Sequence, residues 1–223
     1  PDKPAMIIYQ ETKAGFIEDI QNNYFAARIE DAFIKKTGSL PVDSRGWAND
    51  YARFSTVLSS AKVADDITIA IEYHCSPVGR KRIDVLLAGG DGGQDNGLII
   101  ELKAWDTASA TEIDGMVFSP IGGGTIKQHP SLQARQYKGM ILSFNQDISA
   151  AGIQLHPSAY LCNLYRRTPE PLEDARYQSL LSESRLFLAD DNAQLKAYIE
   201  RLVPRKAKND ILFLLEHGKW RPA

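Results

Sequence analysis

Apolar residues recur along this chain first at the spacing of helices and then with the alternation of strands. The helical spacing predicts a first helix over 22–36 and a second over about 47–62. From residue 67 onward, apolar and polar residues alternate with a period of two, as in β-strands. The predicted strands span 67–73, 82–88 and 98–104. The first half of the chain is therefore expected to pair helices with a sheet.

The second half continues the same alternation of element types. A polar, glycine-rich stretch over 106–129 has room for a small extra hairpin. Pro130-Ser131 resembles a helix start, and apolar positions at helical spacing extend this helix to Phe144. A fourth strand is predicted over 159–164, followed by helices near 192–202 and 209–215.

This order of elements predicts an α/β fold with a mixed β-sheet flanked by helices. The core order is helix, strand, strand, strand, helix, strand. No linker rich in Pro or Ser divides the 223 residues, so we expect a single domain over 1–223. Its core is predicted over about 22–165, with helical trimmings over 166–223.

Composition excludes several classes of protein. The chain is 43% hydrophobic and 24% charged, which is ordinary globular usage and excludes a disordered tail, a collagen-like fibre or a coiled coil. No apolar run approaches the ~18–20 residues of a membrane span, and residues 1–4 lack a signal-peptide pattern. Cys75 and Cys162 are expected to be buried free thiols in a reducing, cytoplasmic environment. The net charge of −2 gives no global basic field, so any contact with nucleic acid must be local.

Three charged residues lie inside the predicted strands, where a charge is costly unless it is paired or bound to a metal. Asp84 interrupts the second strand. Glu101 and Lys103 interrupt the third and share one face, because side chains alternate along a strand. A glycine-rich loop over 89–97 joins these strands. In a simple hairpin centred on residue 93, Asp84 and Glu101 oppose one another within one residue, with Cβ atoms ~4.5–5.5 Å apart.

Two carboxylates at this spacing repel each other unless a cation lies between them. One interpretation is a site for a hard divalent cation, Mg²⁺ or Mn²⁺, in which Lys103 orients or deprotonates a water or offsets charge on phosphorus. Such a site suits phosphodiester hydrolysis. The other interpretation is a structural ion pair of Lys103 with Asp84 or Glu101. The order of acid, tight loop and Glu-x-Lys favours the metal site, which Glu72 would join if its pleat faces the acids.

These residues resemble the PD-(D/E)xK nuclease superfamily, whose signature is an acid on the second core strand and (D/E)-x-K on the third. Asp84 and Glu101-Leu102-Lys103 match this signature, although Ile83 replaces the proline of the family name. The resemblance implies a restriction-endonuclease-like fold and metal-dependent cleavage. It also implies Asp84 and Glu101 as metal ligands, with the Leu102 carbonyl as a third.

Two helices extend the resemblance. Gln133-Ala134-Arg135-Gln136-Tyr137 is similar to the Q-x-x-x-Y motif of the RecB-like branch, which implies that Gln133 and Tyr137 support the site and the substrate. The alternative is a glutamine that satisfies a strand edge. Family members also donate a first-helix glutamate to the metal. Glu30 is our candidate for that ligand, and a solvated place on the helix flank is the alternative.

A wider resemblance covers most of the chain. Four stretches, Ile71–Tyr73, Lys81–Asp84, Ile100–Lys103 and His129–Gln133, are similar to the N-terminal nuclease-like domain of bacterial Schlafen-like DNA/RNA helicases. The resemblance implies a C-terminal ATPase or helicase domain as a partner. This chain contains no Walker motif, so we expect an N-terminal fragment or a free-standing relative.

Basic residues near the acids are candidates for contacts with nucleic acid. Arg80, Lys81 and Arg82 precede Asp84, and His129 precedes the Gln133 helix. A solvated turn and a structural histidine are the alternatives. The sequence thus favours a metal-dependent nuclease that acts on nucleic acid, DNA more than RNA. A catalytically silent nucleic-acid- or partner-binding module of the same fold, and a structural domain whose acids only form ion pairs, remain as alternatives.

Overall fold

The computed structural model describes residues 5–41, 47–75 and 81–221. The strands are β1 (Met6–Thr12), β2 (Thr68–His74), β3 (Arg82–Gly90), β4 (Asp95–Leu102), β5 (Ser109–Ala110), β6 (Met116–Ser119), β7 (Thr125–Gln128), β8 (Gln154–Leu161) and β9 (Arg185–Leu188). The helices are α1 (Lys13–Gln21), α2 (Phe25–Thr37), α3 (Trp47–Ser60), α4 (Pro130–Phe144), α5 (Gln146–Ala150), α6 (Gln178–Glu183), α7 (Asn192–Leu202) and α8 (Ile211–His217). No helix in these ranges is long and apolar enough to cross a membrane.

The main sheet has six strands in the order β1-β2-β3-β4-β8-β9. The first four strands pair antiparallel, and β8 and β9 continue the sheet in parallel. The prediction of a mixed sheet flanked by helices is confirmed. The sheet extends beyond the predicted core on both sides, because β1 precedes residue 22 and β9 follows residue 165.

Strand β1 forms one edge of the sheet, and two side chains hydrogen bond to its backbone at Ile7. Lys36 Nζ donates to the Ile7 carbonyl at 2.5 Å, and the Ile7 N–H donates to Glu216 Oε2 at 2.6 Å. Ile7, Ile8 and Tyr9 are all buried. The sequence pattern did not predict this strand, because both of its faces are covered and the alternation that marks a half-exposed strand is absent.

Helices cover both faces of the sheet and enclose two separate cores. Side chains of α1, α2, α3 and α7 pack on one face, around Phe16, Phe54 and Ile199. Side chains of α4, α5 and α8 pack on the other face, around Ile141 and Leu212. Parallel β4 and β8 require a crossover, and α4 lies within that connection.

A tight turn sets the register of β3 and β4. Asp91 Oδ1 accepts the N–H groups of Gly93 and Gln94 at 2.9 and 2.7 Å, and Gly92 has a φ of +96° that suits glycine. Val85 pairs with Ile100 in this hairpin. The next position along each strand therefore sets Asp84 opposite Glu101, in agreement with the spacing that the sequence predicted.

The glycine-rich stretch over 106–129 forms a second, three-stranded sheet in the order β5-β6-β7. Tyr177 anchors it from outside, because its hydroxyl donates to the Met116 carbonyl at 2.6 Å. Val117 and Trp105 pack into a third core that also contains Ala159 and Leu161 of β8. The predicted hairpin is thus part of a larger element beside the main sheet.

Asp95 joins the start of β4 to the segment before α8, and we expect its replacement by Asn to destabilise the fold. Its carboxylate accepts the N–H groups of Lys208 and Asn209 at 2.9 and 2.8 Å, and Asn209 Nδ2 at 2.8 Å. Burial acts to raise the pKa of Asp95, but these hydrogen bonds outweigh it and hold the pKa below its ordinary value. Losing acceptors for such bonds costs about 1–3 kcal/mol in the free energy of unfolding.

Urea titrations at pH 7 and at decreasing pH test this expectation. The interactions that lower the pKa of Asp95 stabilise the native state at pH values above the ordinary pKa of an aspartate. This contribution disappears as the pH falls and Asp95 itself takes up a proton. The loss in the free energy of unfolding caused by Asp95→Asn should therefore be largest at pH 7 and should shrink below about pH 4. Asp66→Asn, at an exposed position, is the control and should stay near the wild type. A deficit independent of pH would contradict the role of the charge.

Candidate active site

Three acidic residues stand side by side across three neighbouring strands. Ile71 pairs with Val85 and Tyr73 with Ile83, so that Glu72 on β2 lies opposite Asp84 on β3. The hairpin register places Glu101 on β4 opposite Asp84. Glu72 and Glu101 are 1% and 3% exposed. A row of three carboxylates in the interior of a sheet is costly, and it requires an explanation in terms of partners or function.

The backbone of β2 and β3 changes its pleat where these acids lie. Glu72 has a φ of +56°, a left-handed conformation that non-glycine residues rarely adopt inside a strand. Ile71 and Val85 pack in the core beneath α3, whereas Tyr73 and Ile83, on the far side of the two acids, pack in the core beneath α4. The alternation of side chains therefore breaks at Glu72 and Asp84, and residues of both helix layers reach this point.

A cleft of about 260 Å³ opens over the acids. Its walls come from α3, β2, β3, the end of β4 and α4. The lining residues are Asp50, Tyr51, Glu72, Arg82, Asp84, Glu101, Leu102, Lys103, Gln133 and Tyr137. Charged and hydrogen-bonding side chains dominate this set, which suits a polar substrate and not an apolar one.

Lys103 and the backbone compensate for part of the charge. Lys103 Nζ lies 2.9 Å from Glu101 Oε1, and Asp84 Oδ2 accepts the N–H of Leu102 at 2.9 Å. Glu101 Oε2 is buried and has no hydrogen-bond partner among the described residues. Neither Lys103 nor the backbone therefore compensates for this second carboxylate oxygen.

The acids and the lysine shift the pKa values of one another. Burial, and then the charge of Glu101, raise the pKa of Asp84 well above its ordinary value, against the smaller effects of Lys103 and the Leu102 N–H. Burial also raises the pKa of Glu101, although Lys103 opposes this. Burial acts to lower the pKa of Lys103, but Glu101 and Asp84 outweigh it and raise the pKa. The acid pair therefore takes up a proton at a higher pH than ordinary carboxyl groups do, and Lys103 keeps its proton to a higher pH than an ordinary lysine.

Gln133 and Tyr137 lie one turn apart on α4 and both line the cleft. Gln133 Nε2 donates to the Tyr137 hydroxyl at 2.8 Å. Burial raises the pKa of Tyr137, so this hydroxyl keeps its proton and remains a donor. The spacing of the Q-x-x-x-Y motif thus brings both side chains to the acids.

Glu30 does not join the cleft. The buried stripe of α2 contains Phe25, Ile29 and Phe33, and Glu30 follows Ile29 into solvent. The helical spacing predicts Glu30 on the inner stripe only if Ala26 and Ile34 are counted as core residues, yet both are exposed. The prediction of Glu30 as a site residue therefore disagrees with its position.

The basic candidates have different positions. His129 is fully buried, where its Nε2 lies 3.0 Å from the Leu172 carbonyl and its Nδ1 accepts the Ser131 N–H at the start of α4. It is a structural histidine, which corrects its prediction as a nucleic-acid contact. Lys81 is exposed, and Arg82 lines the cleft. Arg80 lies outside the described residues.

Helix α3 contributes two residues that no sequence pattern indicated. The Tyr51 hydroxyl donates to the Asp84 carbonyl at 3.3 Å, and Asp50 Oδ1 accepts the Cys162 thiol at 3.5 Å. Both residues line the cleft. No local signal marks them, because α3 lies far ahead of the acids in the chain and meets them only through the packing of its layer on the sheet.

The acids do not form a complete set of metal ligands by themselves. Among the described residues, no group of three or more His, Cys, Asp or Glu side chains has the arrangement of a metal site. The donors at hand are carboxylate oxygens, of which Glu101 Oε2 and Glu72 Oε2 are buried without a hydrogen-bond partner in the described chain. Such a sparse oxygen set fits Mg²⁺, which keeps several waters and binds through one or two carboxylates.

Asp84→Asn should raise stability at neutral pH. An acid whose pKa is higher in the folded than in the unfolded chain destabilises the fold as the pH rises above about 4. Asn removes the charge, and its side-chain oxygen can still accept the Leu102 N–H. We expect a gain on the order of 1 kcal/mol at pH 7, or about 2–4 °C in Tm, which declines toward pH 4.

Thermal unfolding followed by circular dichroism at pH 7 and at about pH 4.5, near the ordinary pKa of a carboxyl group, would measure this gain. Asp114→Asn, at an exposed position, is the matched control and should leave the Tm unchanged. A lower Tm for Asp84→Asn at pH 7 would mean that the carboxylate stabilises the fold, and would contradict the raised pKa.

A comparison of this chain with known proteins returned no match to a protein-family model, a curated protein or a solved structure. What the cleft can do is therefore inferred from its own side chains, their burial and their charges.

Proposed function

We propose that this chain is a metal-dependent nuclease of the PD-(D/E)xK type, which hydrolyses phosphodiester bonds in nucleic acid, with DNA favoured over RNA. One observation carries the proposal: Asp84 stands opposite Glu101 across a tight hairpin, and Lys103 lies 2.9 Å from Glu101 in the same cleft. A sheet that needed only the Glu101–Lys103 ion pair would not require the half-buried Asp84 carboxylate beside it, because a poorly compensated acid at such a position destabilises the fold.

The order of elements supports this assignment. Helix α3 is followed by β2, β3 and β4, then by the small sheet, α4 and β8. This order agrees with the helix, strand, strand, strand, helix, strand order expected of a restriction-endonuclease-like core, in which the acid belongs to the second strand and Glu-x-Lys to the end of the third. In the proposal, β1, α1, α2, the small sheet, α5 and the segments after β8 are additions around that core.

Mg²⁺ or Mn²⁺ is the proposed cofactor, with Asp84 and Glu101 as its protein ligands and the Leu102 carbonyl as a third. The unpartnered Glu101 Oε2 supports this ligand set. When bound, the metal would polarise a phosphoryl oxygen and lower the pKa of a bound water.

The residues around the acids have roles of their own in the proposal. Lys103 is held charged by Glu101 and Asp84. This favours orienting a water and offsetting charge on phosphorus over removing a proton. Gln133 and Tyr137 present an amide and a phenol to the cleft, and both can hydrogen bond to the substrate backbone. A helicase or ATPase domain remains the proposed partner.

Lys103→Met should remove cleavage and keep the fold. Methionine preserves much of the stem that packs near Trp105, 6.0 Å from Lys103 Nζ to the ring centroid, but it cannot donate to a water or a phosphate. We expect the rate to fall by about 10²–10⁴. Labelled single-stranded and duplex DNA and RNA, incubated with Mg²⁺, Mn²⁺ or EDTA, provide the measurement and identify the substrate.

Lys127→Met is the matched control for this variant. Lys127 Nζ lies over the same Trp105 ring, at 5.6 Å from its centroid, but Lys127 does not line the cleft. The control should cleave at the wild-type rate. A Lys103→Met protein that cleaves equally fast would refute the mechanism. If the folded wild type cleaves none of the substrates, a catalytically silent binding module becomes the better description.

Binding of the metal should be visible in stability without any substrate. A ligand that binds only the folded chain increases the free energy of unfolding, by about 2.7 kcal/mol when the free ligand concentration is a hundred times Kd. The Tm rises as a consequence. We expect millimolar MnCl₂ to raise the wild-type Tm and to leave Glu101→Gln unaffected, because that variant lacks a ligand. KCl of matched ionic strength is the control. An equal rise in both proteins would argue against metal binding at Glu101.

A further inference from the structure

Glu72 occupies a strained and poorly satisfied position. Its φ of +56° is left-handed inside a strand, and its carboxylate is buried, with Oε2 lacking a hydrogen-bond partner among the described residues. Each of these features costs stability, and such costs concentrate at functional sites. The proposed metal site uses Asp84 and Glu101, so the role of Glu72 remains to be explained.

Glu72 lies beside Arg82, which is the second basic residue of the cleft after Lys103. Its Oε2 is 3.5 Å from Arg82 NH1 and 3.8 Å from His74 Nε2. His74 and Arg82 are themselves paired across β2 and β3, and His74 packs edge-on against Phe33. The left-handed turn at Glu72 thus brings its carboxylate under the Arg82 guanidinium, at the mouth of the cleft.

The Arg82 guanidinium has donors to spare. A guanidinium carries five N–H groups, and Glu72 is the one ion-pair partner of Arg82 in the described parts of the chain. The Arg82 side chain is 44% exposed, whereas that of Lys103 is 24% exposed and held at 2.9 Å by Glu101. Arg82 is therefore the cation of this cleft that a second anion can reach.

The spacing of Arg82 and Asp84 along β3 suits two neighbouring phosphates. Arg82 precedes Asp84 by two residues on β3, which is about 6.6 Å along a strand. This is on the scale of one nucleotide step along a single strand. Arg82 also lies close enough for its positive charge to act to lower the pKa values of Glu101 and Lys103.

We propose that Arg82 binds the phosphate next to the one that a metal ion at Asp84 and Glu101 would hold, and that Glu72 is the positioning residue that keeps its guanidinium in place. The inference takes its substrate class, a nucleic-acid strand, from the proposed function. It adds a phosphate-binding residue and a reason for the strained glutamate.

Binding without cleavage tests the proposal. The probe is a short fluorescein-labelled DNA, used as a single strand and as a duplex, with its RNA equivalent, in EDTA over a series of KCl concentrations. Fluorescence anisotropy gives the slope of log affinity against log salt, whose magnitude is about 0.7–0.9 for each phosphate that the protein neutralises. We expect the slope of Arg82→Ala to be shallower by the value of one phosphate. Arg82→Lys should keep the slope and bind more weakly, because it lacks the fork of donors.

Glu72→Gln separates positioning from charge. Removing a carboxylate from beside a polyanion strengthens binding on electrostatic grounds alone. We expect weaker binding instead, because Arg82 loses its partner. In the Arg82→Ala background the same change should weaken binding no further, so that a double-mutant cycle reports the coupling. Glu72→Gly, which accepts the left-handed backbone, serves if the Gln variant is unfolded.

Arg176→Ala is the matched control. Arg176 is similarly exposed at 38% and paired with two acids, but it lies beside the small sheet and outside the cleft. Its slope should equal that of the wild type. The proposal is overturned if Arg82→Ala keeps the wild-type slope, if Glu72→Gln binds as tightly as the wild type or more tightly, or if the wild type binds none of the probes. Binding that depends on Arg82 in a protein that never cleaves would support this inference and refute the nuclease proposal.

Discussion

The cost of burying like charges in a sheet governs this molecule. Asp84 and Glu101 face each other across a hairpin, and one lysine at 2.9 Å and one backbone N–H compensate for them incompletely. Both acids consequently have raised pKa values. Burial of apolar side chains in two separate cores, one on each face of the sheet, offsets the destabilisation caused by these acids.

The arrangement also concentrates its electrostatics in a short stretch of chain. Arg82, Asp84, Glu101 and Lys103 all belong to one hairpin or its immediate end, and the turn of that hairpin is fixed by Asp91. Glu72 comes from the adjacent strand. The helices contribute mainly uncharged polar groups, which are Tyr51, Gln133 and Tyr137. The hairpin defines the charges of the cleft, whereas the helices shape its walls.

The sequence allowed much of this hairpin to be predicted. Asp84, Glu101 and Lys103 interrupt apolar strands, and a glycine-rich turn of known length fixes which residues face each other. The predicted roles of Glu30 and His129 disagree with the structure. The exposure of Glu30 depends on which face of α2 packs on the sheet, and the burial of His129 depends on a carbonyl 43 residues away. Tyr51 reached the site through packing between layers. Periodicity describes a residue and its own element, and it contains no information on how two layers dock.

The edge strand β1 has a consequence for the association of this chain with copies of itself. An open strand edge is a template on which a second chain can add hydrogen bonds. Here two side chains, Lys36 from α2 and Glu216 from α8, occupy the Ile7 carbonyl and N–H. Loss of α8 would leave the Ile7 N–H without its acceptor, and this part of the edge could then pair with a second chain, which is the first step toward β-aggregates.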